Sequence, residues 1–103
     1  MSSLLSEQYR LAAKEWVDLD NKARLMEETK SAVLSQRMSA LGDMPVSKAE
    51  LKVKSSTEWM DYITEMVEAR TASNLAKVKI EWIKMRFSEQ QSREATERAE
   101  RKL

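Results

Sequence analysis

Two helix-start signals in the middle of the chain constrain its architecture more than any other feature. In the first, Ser47 stands three residues before Glu50, so each side chain can bond the backbone amide of the other, as in a capping box. Val46 and Leu51 flank this pair and can form a hydrophobic staple. This segment therefore predicts that a helix begins with Ser47 as its N-cap.

A second box of the same kind, Ser55 with Glu58, follows eight residues later. The only glycine and the only proline of the chain, Gly42 and Pro45, lie just before the first box, where a preceding helix is expected to stop. A long helix is therefore predicted to end near Leu41, and a second helical arm to begin after the turn.

These signals, with the composition, predict an all-α fold in a single domain. Only one glycine, one proline and 34% charged residues among 103 residues are typical of long helices. We expect a helical hairpin over residues 1–90, with a turn at 42–46, a short helix at 47–54 and a long helix from residue 56. Residues 91–103 are polar on every face and are expected to form a helical or frayed tail.

Apolar residues recur at alternating spacings of four and three along both arms, as in the seam of a coiled coil. On the first arm the seam is Leu5, Tyr9, Ala12, Trp16, Leu19, Ala23, Met26, Val33 and Ala40, with Lys30 and Arg37 at polar positions. On the second it is Trp59, Tyr62, Met66, Ala69, Ser73, Ala76, Ile80, Ile83 and Phe87. The two arms are therefore predicted to pack as an antiparallel hairpin.

A hairpin closed at residues 42–46 determines which residues face each other across the seam. The expected neighbours are Leu5 with Ile83, Trp16 with Ala72 and Ser73, and Lys30 with Glu58. The last of these pairs would be an ion pair that fixes the register of the two arms, worth about 0.5 kcal/mol if exposed.

A further apolar series lies outside the seam on the second arm. It has its own helical spacing and consists of Leu75, Val78, Trp82 and Met85, which we call the outer row. Together, the outer row and the seam make the second arm apolar between Leu75 and Phe87 over a wider arc than one neighbouring helix can cover. We therefore expect a second copy of the chain, or a different protein, to cover the outer row, so that the hairpin associates into a larger bundle.

Basic residues accompany the outer row and leave a second interpretation open. They are Arg70, Lys77, Lys79, Lys84 and Arg86. Basic side chains beside an exposed tryptophan are typical of proteins that bind single-stranded DNA or RNA. The alternative is that these side chains only flank a hydrophobic seam and extend to water, which the net charge of +1 and the interruption by Glu81 favour.

The residue types present make an enzyme improbable. Cysteine and histidine are absent, which removes the thiol nucleophile, the usual general base and the commonest metal ligands. No phosphate-binding loop or other catalytic motif occurs, so we expect no catalytic residue, no metal site, no cofactor and no small-molecule substrate. No apolar run approaches the length of a membrane span and no signal peptide is visible, so a cytoplasmic location without membrane contact is expected.

Helical hairpins of about 100 residues also occur among the small secreted proteins of type VII systems. The turn Ala40-Leu41-Gly42-Asp43 lacks the Trp-x-Gly of that family. A short chain without cysteine or histidine that starts Met-Ser-Ser resembles instead the small all-helical proteins of bacteriophage early regions. That resemblance implies a protein that binds and modulates the nucleic-acid machinery of the host or the phage.

Overall fold

The computed structural model describes residues 2–101 and contains three helices in that range. They are α1, Ser2–Ser39; α2, Val46–Lys54; and α3, Thr57–Arg101. The two long helices pack antiparallel, and α2 lies at the closed end, so that the molecule is a rod of 84 × 17 × 17 Å. The described chain is thus all-helical, with a long α1 packed against a long α3, as the sequence predicts.

The turn after α1 depends on Gly42. Its φ of +86° lies in the left-handed region, which residues with a Cβ rarely adopt, and this conformation directs the chain away from the axis of α1. Nothing lies within 4 Å of the position of a Cβ on Gly42, so the requirement for glycine here comes from the backbone alone.

The predicted N-cap at Ser47 is wrong, because α2 begins one residue before it. Pro45 is the N-cap residue, with φ −54° and ψ 139°, and α2 has no side-chain cap bond. The proline ring fixes φ, and the extended ψ of this residue allows the helix to start directly after it. Val46 and Leu51 are 72% and 70% exposed, so the expected staple does not form.

The predicted cap of the long second helix at Ser55 is also wrong, by one residue. The backbone N–H of Trp59 donates to Oγ of Ser56 at 3.2 Å, and the Ser56 hydroxyl donates to the carbonyl of Val53 at 2.6 Å. Ser55 instead closes α2 as its C-cap residue, where its own amide is used by the last turn of that helix. One hydroxyl, that of Ser56, therefore connects the end of α2 to the start of α3.

The predicted seam of α3 is confirmed. Every one of its nine positions is buried or half-buried, and Ile83 is only 2% exposed. On α1 the buried members are Ala12 and Ala23, which let the larger residues of α3 approach closely. Two predicted seam positions of α1 depart from the prediction. Tyr9 is exposed, and Ala40 is exposed because it lies beyond the end of α1.

The register differs from the expected one by about a turn. The hydroxyl of Ser73, expected opposite Trp16, donates to Asp20 Oδ1 at 3.1 Å. Trp16 packs against the buried cluster that contains Ile80 and Ile83. At Trp16 and Asp20, α1 therefore faces residues of α3 that lie further along the chain than predicted, whereas the contact of Tyr62 with Met26 fits the predicted register.

The short helix α2 explains this displacement. The whole stretch of residues 40–56 connects the long helices, so the hairpin closes around a later point than the predicted turn at 42–46. The expected ion pair between Lys30 and Glu58 is absent from the described part of the chain, and both side chains are exposed.

The C-terminal part of α3 continues as helix without a buried face. All residues from 91 to 101 are exposed, and this stretch belongs to the predicted polar tail. Residues 102 and 103 of that tail lie outside the described residues, as does residue 1.

Candidate functional site

The outer row lies on the side of α3 that faces away from α1. Leu75, Val78, Trp82 and Met85 are 65%, 64%, 52% and 61% exposed, respectively. The neighbouring Ile83 is buried in the seam, so a rotation of one residue around the helix separates a core side chain from an exposed one. The seam is therefore complete without the outer row, which forms a separate apolar surface.

Charged residues separate the outer row from the seam on both sides. At 100° per residue, Lys79 and Arg86 lie along one edge of the row, and Glu81 lies along the other. Lys79 reaches across to Glu15 of α1 at 3.6 Å, and Lys84 pairs with Glu81 at 3.5 Å. The guanidinium of Arg86 stacks over the ring of Trp82, 5.0 Å from its centre. The row is thus an apolar strip with a basic edge and an acidic position opposite.

Arg70 differs from the other basic candidates because the hairpin itself engages its charge. Its Nε and Nη2 donate to the carboxylate of Glu27 at 2.9 and 2.7 Å, and Nη1 donates to Asp20 at 2.8 Å. These two carboxylates on α1 raise the pKa of Arg70 further above its ordinary value. Arg70 is therefore part of a bridge between α1 and α3 rather than a free cation.

The same bridge sets the ionisation of the two acidic residues. Hydrogen bonds from Arg70 lower the pKa of Asp20 and of Glu27 below their ordinary values, and the Ser73 hydroxyl contributes at Asp20. Arg24, one turn along α1, also donates to Asp20 at 3.1 Å. The sequence interpretation missed this network. The one available signal was Ser73, a polar residue inside an otherwise apolar seam.

A second polar group fills the seam near the closed end. The guanidinium of Arg37 lies 5.9 Å from the ring centre of Trp59 and 5.6 Å from that of Tyr62, and the two rings stack at 5.5 Å. The Tyr62 hydroxyl donates to the backbone carbonyl of Met26 at 2.8 Å. Arg37 occupies one of the two polar positions of the predicted seam, and the aromatic rings supply its partner through cation–π contacts.

At the open end, the two long helices leave an apolar groove of about 330 Å³. Its lining includes Leu5 and Ile83, which were expected to be neighbours, and also Tyr9 and Phe87. The groove has few polar groups with which to orient a ligand, so it offers little for the specific binding of a small molecule.

Lys77 is the remaining basic candidate. It is exposed and makes no ion pair with the described residues. Four of the five basic candidates lie within ten residues of α3: Lys77, Lys79, Lys84 and Arg86. The fifth, Arg70, is held at the interface with α1.

Two features that residues 2–101 lack bear on the kind of site present. These residues contain no group of three or more acidic, histidine or cysteine side chains placed to hold a metal ion. Within the same range, no helix combines the length and the apolar character required to cross a bilayer.

Comparison with protein-family models, with curated protein sequences and with solved structures gives no match to this chain.

Proposed function

We propose that this chain is a non-enzymatic helical interaction module, an adaptor that binds another protein through the outer row. The observation that supports this most directly is that Leu75, Val78, Trp82 and Met85 are all more than half exposed beside a seam that is complete without them. Isolated exposed apolar residues are ordinary, whereas a contiguous strip with charged edges is typical of a protein-binding surface.

Trp82 is the expected anchor of this surface. Tryptophan is enriched among the few interface residues that contribute most of the binding free energy, and such residues are usually surrounded by side chains that exclude water. Trp82 lies between Val78 and Met85 with Arg86 over its ring, so its neighbours can form that surround.

The resemblance to bacteriophage early-region proteins extends the proposal to origin and partner. In that setting the chain is phage-encoded, acts in the cytoplasm without a cofactor, and binds a protein of the host or phage nucleic-acid machinery. Association into a larger bundle would then bury the outer row, as the width of the apolar arc on α3 suggests.

The second candidate function is accessory binding of single-stranded DNA or RNA through residues 70–87. The observation that favours it is the exposed Trp82 with Arg86 stacked on it, since both groups can stack on bases. Phosphate contacts make affinity fall steeply with salt, so a shift assay from 50 to 200 mM salt tests this candidate. Binding that is weak at 50 mM salt, or that does not change with salt, would exclude it.

Co-purification with matched baits tests the leading proposal. Wild-type, Trp82→Ala and Leu25→Ala chains serve as baits in native host cells, where an untagged copy of the chain is also expressed. Leu25 is 64% exposed on α1 and controls for the loss of an exposed apolar side chain elsewhere. We expect wild-type and Leu25→Ala baits to retain the same polypeptides and Trp82→Ala to lose them. Equal recovery by all three baits contradicts the proposal.

A further inference from the structure

We infer that the outer row pairs with the outer row of a second copy of this chain, with the two α3 helices parallel and in register. This inference rests on the proposed function, because it names the occupant of the same surface. It is supported by three features of α3: the spacing of the row, the charges along its edges, and the position of α1.

The spacing of the row is that of a short coiled-coil seam. With Thr71, which is exposed one turn before it, the row follows intervals of four, three, four and three residues up to Met85. In heptad terms Leu75 and Trp82 occupy a positions, while Thr71, Val78 and Met85 occupy d positions. The row therefore presents two heptads of a second seam on the opposite side of α3 from the first.

The charges at the edges select the parallel orientation. Lys79 and Arg86 fall at e positions and Glu81 falls at a g position. In a parallel pair, a g residue faces the e residue five places later on the other helix, so Glu81 faces Arg86 of the second copy. Two-fold symmetry creates this contact twice.

An antiparallel pair would bring like charges together. In an antiparallel pair e positions face e positions and g positions face g positions. With Trp82 beside Val78 of the second copy, Lys79 would lie beside Lys79 and Glu81 beside Glu81. The present partners of these groups, Glu15 for Lys79 and Lys84 for Glu81, are exposed contacts at 3.5–3.6 Å and can rearrange. The charge pattern therefore complements itself only in the parallel orientation.

The position of α1 leaves this approach open. The residues of α3 that contact α1, such as Ile80 and Ile83, lie on the other side of the helix from Val78 and Trp82. Two hairpins can consequently meet through α3 alone, in the order α1, α3, α3, α1. The assembly buries the outer row without disturbing either seam.

Cysteine crosslinking tests the orientation, and the natural chain contributes no cysteine to confuse it. In a parallel pair the two copies of residue 71 are adjacent, whereas in an antiparallel pair centred on the row they lie about 27 Å apart. A disulfide requires Cα atoms within about 7 Å. We expect Thr71→Cys to form a covalent dimer under mild oxidation. Lys77→Cys, exposed but off the row, is the matched control and should not crosslink.

Charge reversal provides the second test, read by sedimentation equilibrium of the full chain. Glu81→Lys and Arg86→Glu should each weaken dimerisation about tenfold, because two symmetry-related pairs change from attraction to repulsion. The double variant should recover most of the loss. A double variant as weak as either single variant would overturn the parallel pairing.

The outcomes also separate this inference from the proposed function. If Trp82→Ala abolishes dimerisation but Thr71→Cys does not crosslink, the interaction surface stands and the parallel arrangement is wrong. If the wild-type chain is monomeric, while its bait retains other polypeptides that Trp82→Ala loses, the partner is a different protein and the self-pairing is overturned. If Trp82→Ala dimerises like wild type, the self-pairing is overturned, and the proposed function also fails if the Trp82→Ala bait retains the same polypeptides as the wild-type bait.

Discussion

Between residues 75 and 87, the two sides of α3 carry the same kinds of apolar side chain but differ in how far these side chains are buried. On the inner side, Ile80 and Ile83 are 6% and 2% exposed and hold α1 in place. On the outer side, Val78 and Trp82 are 64% and 52% exposed. Apolar composition therefore does not distinguish buried from exposed positions here; the position around the helix does.

The comparison also shows where specificity in the hairpin comes from. On the inner side, Ala12 of α1 packs with Ile80 and Ile83 of α3. A polar bridge from Arg70 to Asp20 and Glu27 adds a constraint on the register. The edge charges of the outer side make only exposed contacts, Lys79 with Glu15 at 3.6 Å and Glu81 with Lys84 at 3.5 Å. These edge charges remain available to select a partner.

The largest expected effect is at the inner side. Ile83→Ala should lower the free energy of unfolding by about 3 kcal/mol, because it removes a buried side chain and leaves a cavity in the seam. Val78→Ala, the matched change on the outer side, should cost less than about 0.5 kcal/mol. Urea denaturation of dilute samples measures both. Equal losses of unfolding free energy in the two variants would mean that the inner and outer sides of α3 contribute equally to the stability of the fold.

The next effect concerns the polar bridge and its dependence on pH. Because the pKa values of Asp20 and Glu27 lie below the ordinary 3.8 and 4.5, their ionised forms stabilise the fold at neutral pH. That contribution should be lost as the pH falls from about 5 towards 3. Arg70→Met should lower the melting temperature at pH 7 and flatten this dependence.

Thermal unfolding between pH 3 and 7 provides the measurement for the bridge. Glu7, whose pKa is lowered by Arg10, should leave some residual slope in the Arg70→Met variant. If the wild type and the variant lose stability in parallel as the pH falls, the bridge does not set the stability of the seam in acid.

A smaller effect is expected at the start of α3. Ser56→Ala should cost about 1 kcal/mol, because the hydroxyl caps α3 and also bonds the last turn of α2. Ser47→Ala serves as the control and should change the stability little, since α2 has no side-chain cap bond. The same urea experiment decides between them, and a greater loss at Ser47 would restore the capping box predicted from the sequence.

The smallest effect is expected from the tail. Truncation after Gln90 removes residues 91–101, which are all exposed, together with 102 and 103, so the melting temperature should change little. Calorimetry of the truncated chain measures this. A marked drop would show that residues 91–101 are buried in the assembly, which would extend the outer surface beyond Met85.

The seam can be predicted from the sequence because a buried helix face requires apolar residues to recur with the period of the helix. The series from Trp59 to Phe87 was read correctly at every position, since each apolar residue must return to the same side of the helix. The N-cap of α2 was misplaced by two residues and that of α3 by one. Runs of serine and threonine offer several competing cap positions, and the fixed φ of Pro45 started α2 without one.

The register and the polar bridge were harder to predict. The register depends on the length of the whole connection between the long helices, and α2 lengthens that connection beyond the turn marked by Gly42 and Pro45. Arg70 was interpreted as an exposed cation because a sequence does not show which carboxylates of α1 will lie opposite it. The outer row, by contrast, follows from helical spacing alone, and all four of its side chains are exposed.

The central claim is that Trp82 serves association and not the fold, and two measurements on wild type and Trp82→Ala test it most directly. Sedimentation equilibrium measures association, and urea unfolding, at a concentration where each chain is monomeric, measures stability. We predict that Trp82→Ala weakens association about 30-fold or more while its unfolding free energy stays within about 1 kcal/mol of wild type. If Trp82→Ala instead unfolds the hairpin and leaves association intact, Trp82 belongs to the core, and the outer side of α3 is not the surface through which this protein acts.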